Sequence, residues 1–138
     1  MAIADLAIKY TVASNLPLGG SVTVIPHWLW VHYTHNYHGA MGLFGHNQFL
    51  LIVLAVAVLL ILVFMLREAI AHSVLAQIAF GIIAGGAVGN LIDRLAHGYV
   101  IDYISARSFY IFNFADACIT AGTLLLILDA FRHRQARG

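Results

Sequence analysis

Charge is what this chain has least of. Of its 138 residues, seven are Lys or Arg and six are Asp or Glu, 9% in all, against about 25% in a typical soluble domain. The net charge of +1 leaves no electrostatic footprint for nucleic acid. Cysteine is nearly absent too. Cys118 stands alone, which excludes an internal disulfide and a multi-cysteine metal site, and its apolar setting reads as small-residue packing. The start, Met-Ala-Ile-Ala-Asp5, lacks the basic residues and apolar run of a signal peptide. Repeats, low-complexity tracts and linkers are missing, so residues 1–138 read as a single domain. What remains is 62% hydrophobic, with a mean hydropathy of +0.88. A chain so apolar and so short of charge is a membrane protein.

Residues 1–20 are too mixed to cross a bilayer. Asp5 and Lys9 would share a helix face, where an exposed pair is worth about 0.2–0.5 kcal/mol, and Asn15, Pro17, Gly19 and Gly20 end any helix. From about 21 to 35 the pattern alternates, predicting a small antiparallel sheet. Trp28, Trp30, His32 and Thr34 fall on one face, with Leu29, Val31, Tyr33 and His35 on the other. Such a density of Trp and Tyr suits the headgroup region. A glycine-containing turn follows over 36–46. Three transmembrane helices are expected at about 48–66, 73–92 and 110–131, joined by a polar connection at 67–72 and a longer one at 93–109. Gly81, Gly85, Gly86 and Gly89 mark a face that another helix can approach closely. Arg67 and the arginines of the tail favour a cytoplasmic C-terminus, which places the sheet and the 93–109 connection outside.

Acids inside a bilayer are expensive and therefore informative. Asn90 and Asp93 are three apart, as are Asn113 and Asp116, so each pair shares a helix face. The two pairs end and begin neighbouring spans, at one depth. Asp102, from the connection between them, can fold toward Asp116. Two close carboxylates share a proton; one then activates water while the other polarises a carbonyl. That chemistry requires neither metal nor cofactor. Asp93 has Arg94 beside it, which reads as an ion pair, and Asp129 pairs with the basic tail or reaches the interface. The rival reading makes these acids helix-packing groups or steps in a proton pathway, as in a small transport or assembly subunit. His27, His32, His35, His38 and His46 match no common ligand spacing and read as aromatic packing at the interface.

Three blocks closely resemble the signature of bacterial lipoprotein signal peptidase (signal peptidase II). They run Gly85-Gly-Ala-Val-Gly-Asn90-Leu-Ile-Asp93-Arg94, Gly98-Tyr-Val-Ile-Asp102-Tyr, and Phe112-Asn113-Phe-Ala-Asp116-Ala-Cys-Ile-Thr-Ala-Gly122. Asp5-x-x-x-Lys9 and Asn36 match weaker blocks. The resemblance implies an aspartyl endopeptidase of the bacterial inner membrane, cutting diacylglyceryl-modified prolipoproteins just before the lipobox cysteine. It makes Asp102 and Asp116 the catalytic pair, Asn90, Arg94 and Asn113 positioning groups, Asp93 structural support, and Asp5 and Asn36 outer lining of the site. The sheet would be the family's membrane-lying cradle. The expected partners are lipidated prolipoproteins and membrane lipid, and the protein is read as a monomer without cofactor. A non-catalytic binder of lipidated signal peptides is the nearest alternative. The chain departs from the family pattern in three places. The usual apolar span before Asp5 is not seen, giving three spans where four are usual. His38 and Met41 replace a usual Gly and Phe, and Leu6 replaces a usual Gln.

Overall fold

A computed structural model describes residues 1–39, 47–69, 73–107 and 110–135. The described elements are α1 (Ala2–Asn15), β1 (Ser21–Ile25), β2 (Leu29–Asn36), α2 (Gln48–Ala69), α3 (Val74–His97), β3 (Val100–Ala106), β4 (Ile111–Phe112) and α4 (Phe114–Gln135). Three helices are long and apolar enough to cross a membrane, at Gln48–Met65, Val74–His97 and Phe114–His133. Helix α2 leaves Phe49, Leu60, Ile61 and Phe64 exposed, a pattern that suits lipid and not water. Helix α3 is central, packing against α1, α2 and α4.

The sheet is larger than the alternation at 21–35 suggests. It has four antiparallel strands in the order β1-β2-β3-β4; β3 comes from the segment read as a polar connection and β4 from the expected start of the third span. Residues 110–112 accordingly belong to the sheet edge and its approach, and α4 begins at Phe114. Helix α3 runs on to His97, where Gly98 (φ +75°) closes it by donating its N–H to Arg94 O at 3.0 Å.

A bulge decides which side chains of β2 face the site. Val31 pairs with Ile104, but Thr34 pairs with Asp102 and Asn36 with Val100, so β2 carries one residue too many between them. Thr34 therefore joins Val31 on the Asp102 side, and the unbroken alternation expected from Trp28 to His35 does not hold. On the opposite side Tyr33, Ile101 and Tyr103 form a buried cluster with Val12 of α1. His35 stacks on Tyr99 at 3.7 Å, and its Nε2 lies 2.9 Å from the Tyr33 hydroxyl. Met41 and His46, with the turn beyond Gly39, lie outside the described residues, as do 70–72 of the first polar connection. At the other end of the bundle Ser73 caps α3 and donates to Asp129 Oδ1 at 2.7 Å, while His133 of the tail lies 3.5 Å from Asp129 Oδ2.

The glycine face of α3 meets two elements. A Cβ on Gly86 would lie 2.5 Å from Ala115 O of α4, and one on Gly89 would lie 2.7 Å from Asp5 Oδ2 of α1. Gly81, placed on the same face from the sequence, meets nothing within 4 Å. Gly86→Ala is expected to destabilise by about 1–3 kcal/mol through overpacking. Gly81→Ala should be neutral, or gain up to about 1 kcal/mol of helix propensity. Thermal unfolding of the two variants in detergent compares them directly.

Candidate active site

The start of α4 is built almost entirely from side chains that carry the site. A helix leaves its first N–H groups without internal partners. Here Phe114 N donates to the Tyr103 hydroxyl at 3.2 Å, Ala115 N to Asp5 Oδ1 at 3.0 Å, and Asp116 N to Asn113 Oδ1 at 2.9 Å. Asp116 Oδ2 in turn accepts from Asn113 N at 3.3 Å. Asn113 and Asp116 thus form a reciprocal capping box, the structural reason for their spacing of three. That cap holds Asp116 where the helix dipole favours a negative charge.

Asn113 also ties the two candidate carboxylates together. Its Nδ2 lies 2.8 Å from Asp102 Oδ1, 3.1 Å from Asn90 Oδ1 and 3.2 Å from Ile101 O. Asn90 Nδ2 donates to Asp116 Oδ1 at 2.8 Å, and Asn36 Nδ2 to Asp102 Oδ2 at 2.8 Å. Asp102 (2% exposed) and Asp116 therefore share Asn113 as a neighbour, and each oxygen of both carboxyls accepts a hydrogen bond. Burial first, then the charge of Asp116, push the Asp102 carboxyl up to about 7. Donation from Asn36 and Asn113 and the positive charge of Lys9 pull partly the other way.

Behind this pair sits a buried ion cluster. Lys9 Nζ lies 2.7 Å from Asp5 Oδ2 and 2.8 Å from Asp93 Oδ2, and donates to Asn90 Oδ1 at 3.0 Å. Asp93 Oδ2 also accepts from Ile101 N at 3.1 Å, anchoring β3 to α3 beside Asp102. Two expectations change here. Asp93 pairs with Lys9 and not with Arg94, and the Asp5–Lys9 pair is buried (0% and 1% exposed), not a weak surface contact. Lys9 and Tyr103 are the site residues whose weight the sequence reading missed. Lys9 is the only lysine in the sequence and lies one turn from Asp5, which is the available signal.

Asp116 looks onto a cavity of about 840 Å³ between α2, α3, α4 and the sheet edge. Its polar end is formed by Asn36, Asn90, Arg94 and Asp116, and its walls by residues such as Leu54, Val58, Ile119 and Leu124. Asp102 lies behind Asn36 and Asn113 at that end. Arg94 donates to Asn90 O at 3.4 Å, while its buried Nε has no partner among the described residues. All eight sequence-selected residues thus meet in one place. Asn36, Asn90, Arg94 and Asp116 line the cavity, Asp102 and Asn113 sit beneath them, and Asp5 and Asp93 are in the supporting cluster.

The chain has counterparts among known proteins. The family described as "Signal peptidase (SPase) II" matches residues 1–132. The chain belongs to the signal peptidase II family. It is similar to a lipoprotein signal peptidase of Pasteurella multocida, 39% identical over 94% of this chain and 83% of that protein. The lipoprotein signal peptidase of Escherichia fergusonii is 36% identical over 98% and 87%. Among solved structures, a bacterial membrane enzyme determined by the in meso method at 2.3 Å superposes with a TM-score of 0.93. It is 29% identical and covers 99% of this chain and 86% of its own. A second such enzyme, at 1.9 Å, gives a TM-score of 0.86 at 31% identity. Signal peptidase II membership makes this chain a peptidase with membrane helices.

Proposed function

We propose that the chain is an aspartyl endopeptidase that removes the signal peptide from lipidated prolipoproteins, cutting on the N-terminal side of the lipid-bearing cysteine. The observation that carries the reading is Asn113 bridging Asp102 and Asp116 at the polar end of an apolar cavity. The two carboxyls hold one proton between them near neutral pH. The ionised carboxylate takes a proton from water, and the resulting hydroxide adds to the scissile carbonyl carbon. The protonated carboxyl donates to the carbonyl oxygen as the tetrahedral centre forms. Collapse of that centre breaks the C–N bond, and a proton passes to the departing amine.

The surroundings suit such a substrate. Arg94 lines the cavity, and its guanidinium can donate to a substrate carbonyl beside the dyad. The apolar walls accept acyl chains and the hydrophobic signal helix. Asn90 and Asn113 orient the pair, Asn36 steadies Asp102, and Asp5, Lys9 and Asp93 hold the frame. We place the protein in the bacterial inner membrane, acting as a monomer with the dyad toward the outer face, where a signal helix presents its cleavage site.

The test is cleavage of a diacylglyceryl-modified prolipoprotein by the purified chain, read as a mass shift on gels. Cleavage of the unlipidated precursor at the same rate would reject the assigned substrate. The pH profile is a second test. A raised carboxyl keeps its proton below about 7 and loses it above, so the general acid disappears as pH rises. The rate is expected to fall about tenfold per unit above that point and to fall again in acid, where both carboxyls are protonated. A rate that keeps rising through pH 8 would contradict a shared proton.

A further inference from the structure

We propose that Tyr110 is a positioning residue for the reaction, its hydroxyl holding the Asp102 carboxyl through Gly39 and Asn36. The inference rests on the reading of Asp102 as catalytic. Four hydrogen bonds connect the cavity rim to that carboxyl. The Tyr110 hydroxyl donates to Gly39 O at 3.1 Å, and Gly39 N and His38 N donate to Asn36 Oδ1 at 3.1 and 3.0 Å. Asn36 Nδ2 then donates to Asp102 Oδ2 at 2.8 Å.

The order of these contacts matters. An asparagine amide has an accepting end and a donating end, which differ only by a flip. Two backbone N–H groups on Oδ1 remove that freedom and leave Nδ2 facing Asp102. Those N–H groups precede the Gly39 Cα, and they point correctly only while that Cα stays in place. Gly39 sits at φ +70°, and a Cβ there would lie 2.7 Å from Leu51 Cδ2, so α2 presses on this Cα from one side. Tyr110, preceding β4, holds the carbonyl on its far side and so fixes it from the sheet edge. Tyr110, Gly39 and Asn36 all line the cavity, so the linkage lies where substrate must pass.

Other groups act on Asp102 as well. Asp116 faces it from α4, Lys9 from α1 and Arg94 from α3. None of them is altered by removing one hydroxyl from the rim. Tyr110→Phe takes away only the hydroxyl and leaves the half-exposed ring in place.

The experiment measures two quantities on the full chain in detergent, for wild type, Tyr110→Phe and Asp102→Asn. The first is cleavage of a lipidated prolipoprotein as a function of pH. The second is the infrared titration of the protonated carboxyl band that disappears in Asp102→Asn. With Asn36 donating less well, the ionised form of Asp102 loses support. Tyr110→Phe should then move the infrared midpoint and the alkaline limb upward by a few tenths of a pH unit. It should also lower kcat about fivefold, the worth of one neutral hydrogen bond, with little change in KM. An unmoved midpoint overturns the inference, whether kcat is preserved or falls equally at every pH, since a bond that merely braces the rim behaves that way. Failure of wild type to cleave would reject the protease reading instead, and the infrared midpoint would still report on Tyr110.

Discussion

Asp102→Asn and Asp116→Asn, made singly, are each expected to lower the cleavage rate by about a thousandfold or more. An asparagine can neither share the proton nor ionise, so water loses its base or the carbonyl its acid. The same exchange disturbs the fold only slightly. Asp102 accepts from both Asn36 and Asn113. An amide in its place can satisfy only one of these donors, a loss of about 1–3 kcal/mol. Folded protein that is nearly inactive is thus the expected outcome, measured by cleavage kinetics beside thermal unfolding. Cleavage at the wild-type rate by either variant would remove that residue from the reaction. The comparison also separates the rival readings. A binder of lipidated signal peptides would show no cleavage before mutation, and a transport subunit would leave lipoprotein maturation untouched and alter proton movement.

Lys9→Met is expected to be among the most destabilising single changes, at about 3–5 kcal/mol. Its ammonium lies within 2.8 Å of both Asp5 and Asp93, which are almost completely buried. Removing it leaves two acids facing each other across Asn90 with no cation between them. The damage should spread to the site. Asp5 holds the start of α4 through Ala115 N, and Asp93 holds β3 through Ile101 N. Chemical unfolding in detergent measures the loss. The double change Lys9→Met with Asp93→Asn should recover part of it, because one of the stranded charges is then gone. A double variant no more stable than Lys9→Met would show that charge burial is not the cause.

Several parts of this arrangement were readable in advance because they depend on local spacing. Asn113 and Asp116 stand three apart, which reads as one face of a helix; because α4 begins only at Phe114, the same interval makes a capping box instead. Asn90 lies on the face of α3 that carries Gly86 and meets α4. The reading of Asp93 with Arg94 failed for an equally local reason. Adjacent residues on a helix point about 100° apart, so Asp93 turns to Lys9 while Arg94 turns to the cavity. In sequence β3 looks like a connection because Val100-Ile-Asp-Tyr is buried on both faces and lacks clean alternation. The bulge in β2 could not be foreseen at all, since register belongs to a pair of strands.

The sequence by itself determined the solvent and singled out the acids of the candidate site. Its apolar runs require a membrane, and its few acids, set at helical intervals, mark where a site can be built. Only the tertiary structure decided which acid pairs with which base. Burial depends on what packs from elsewhere in the chain. Lys9 becomes a buried counter-ion, and not a surface lysine, only because α1 lies against α3 and the start of α4.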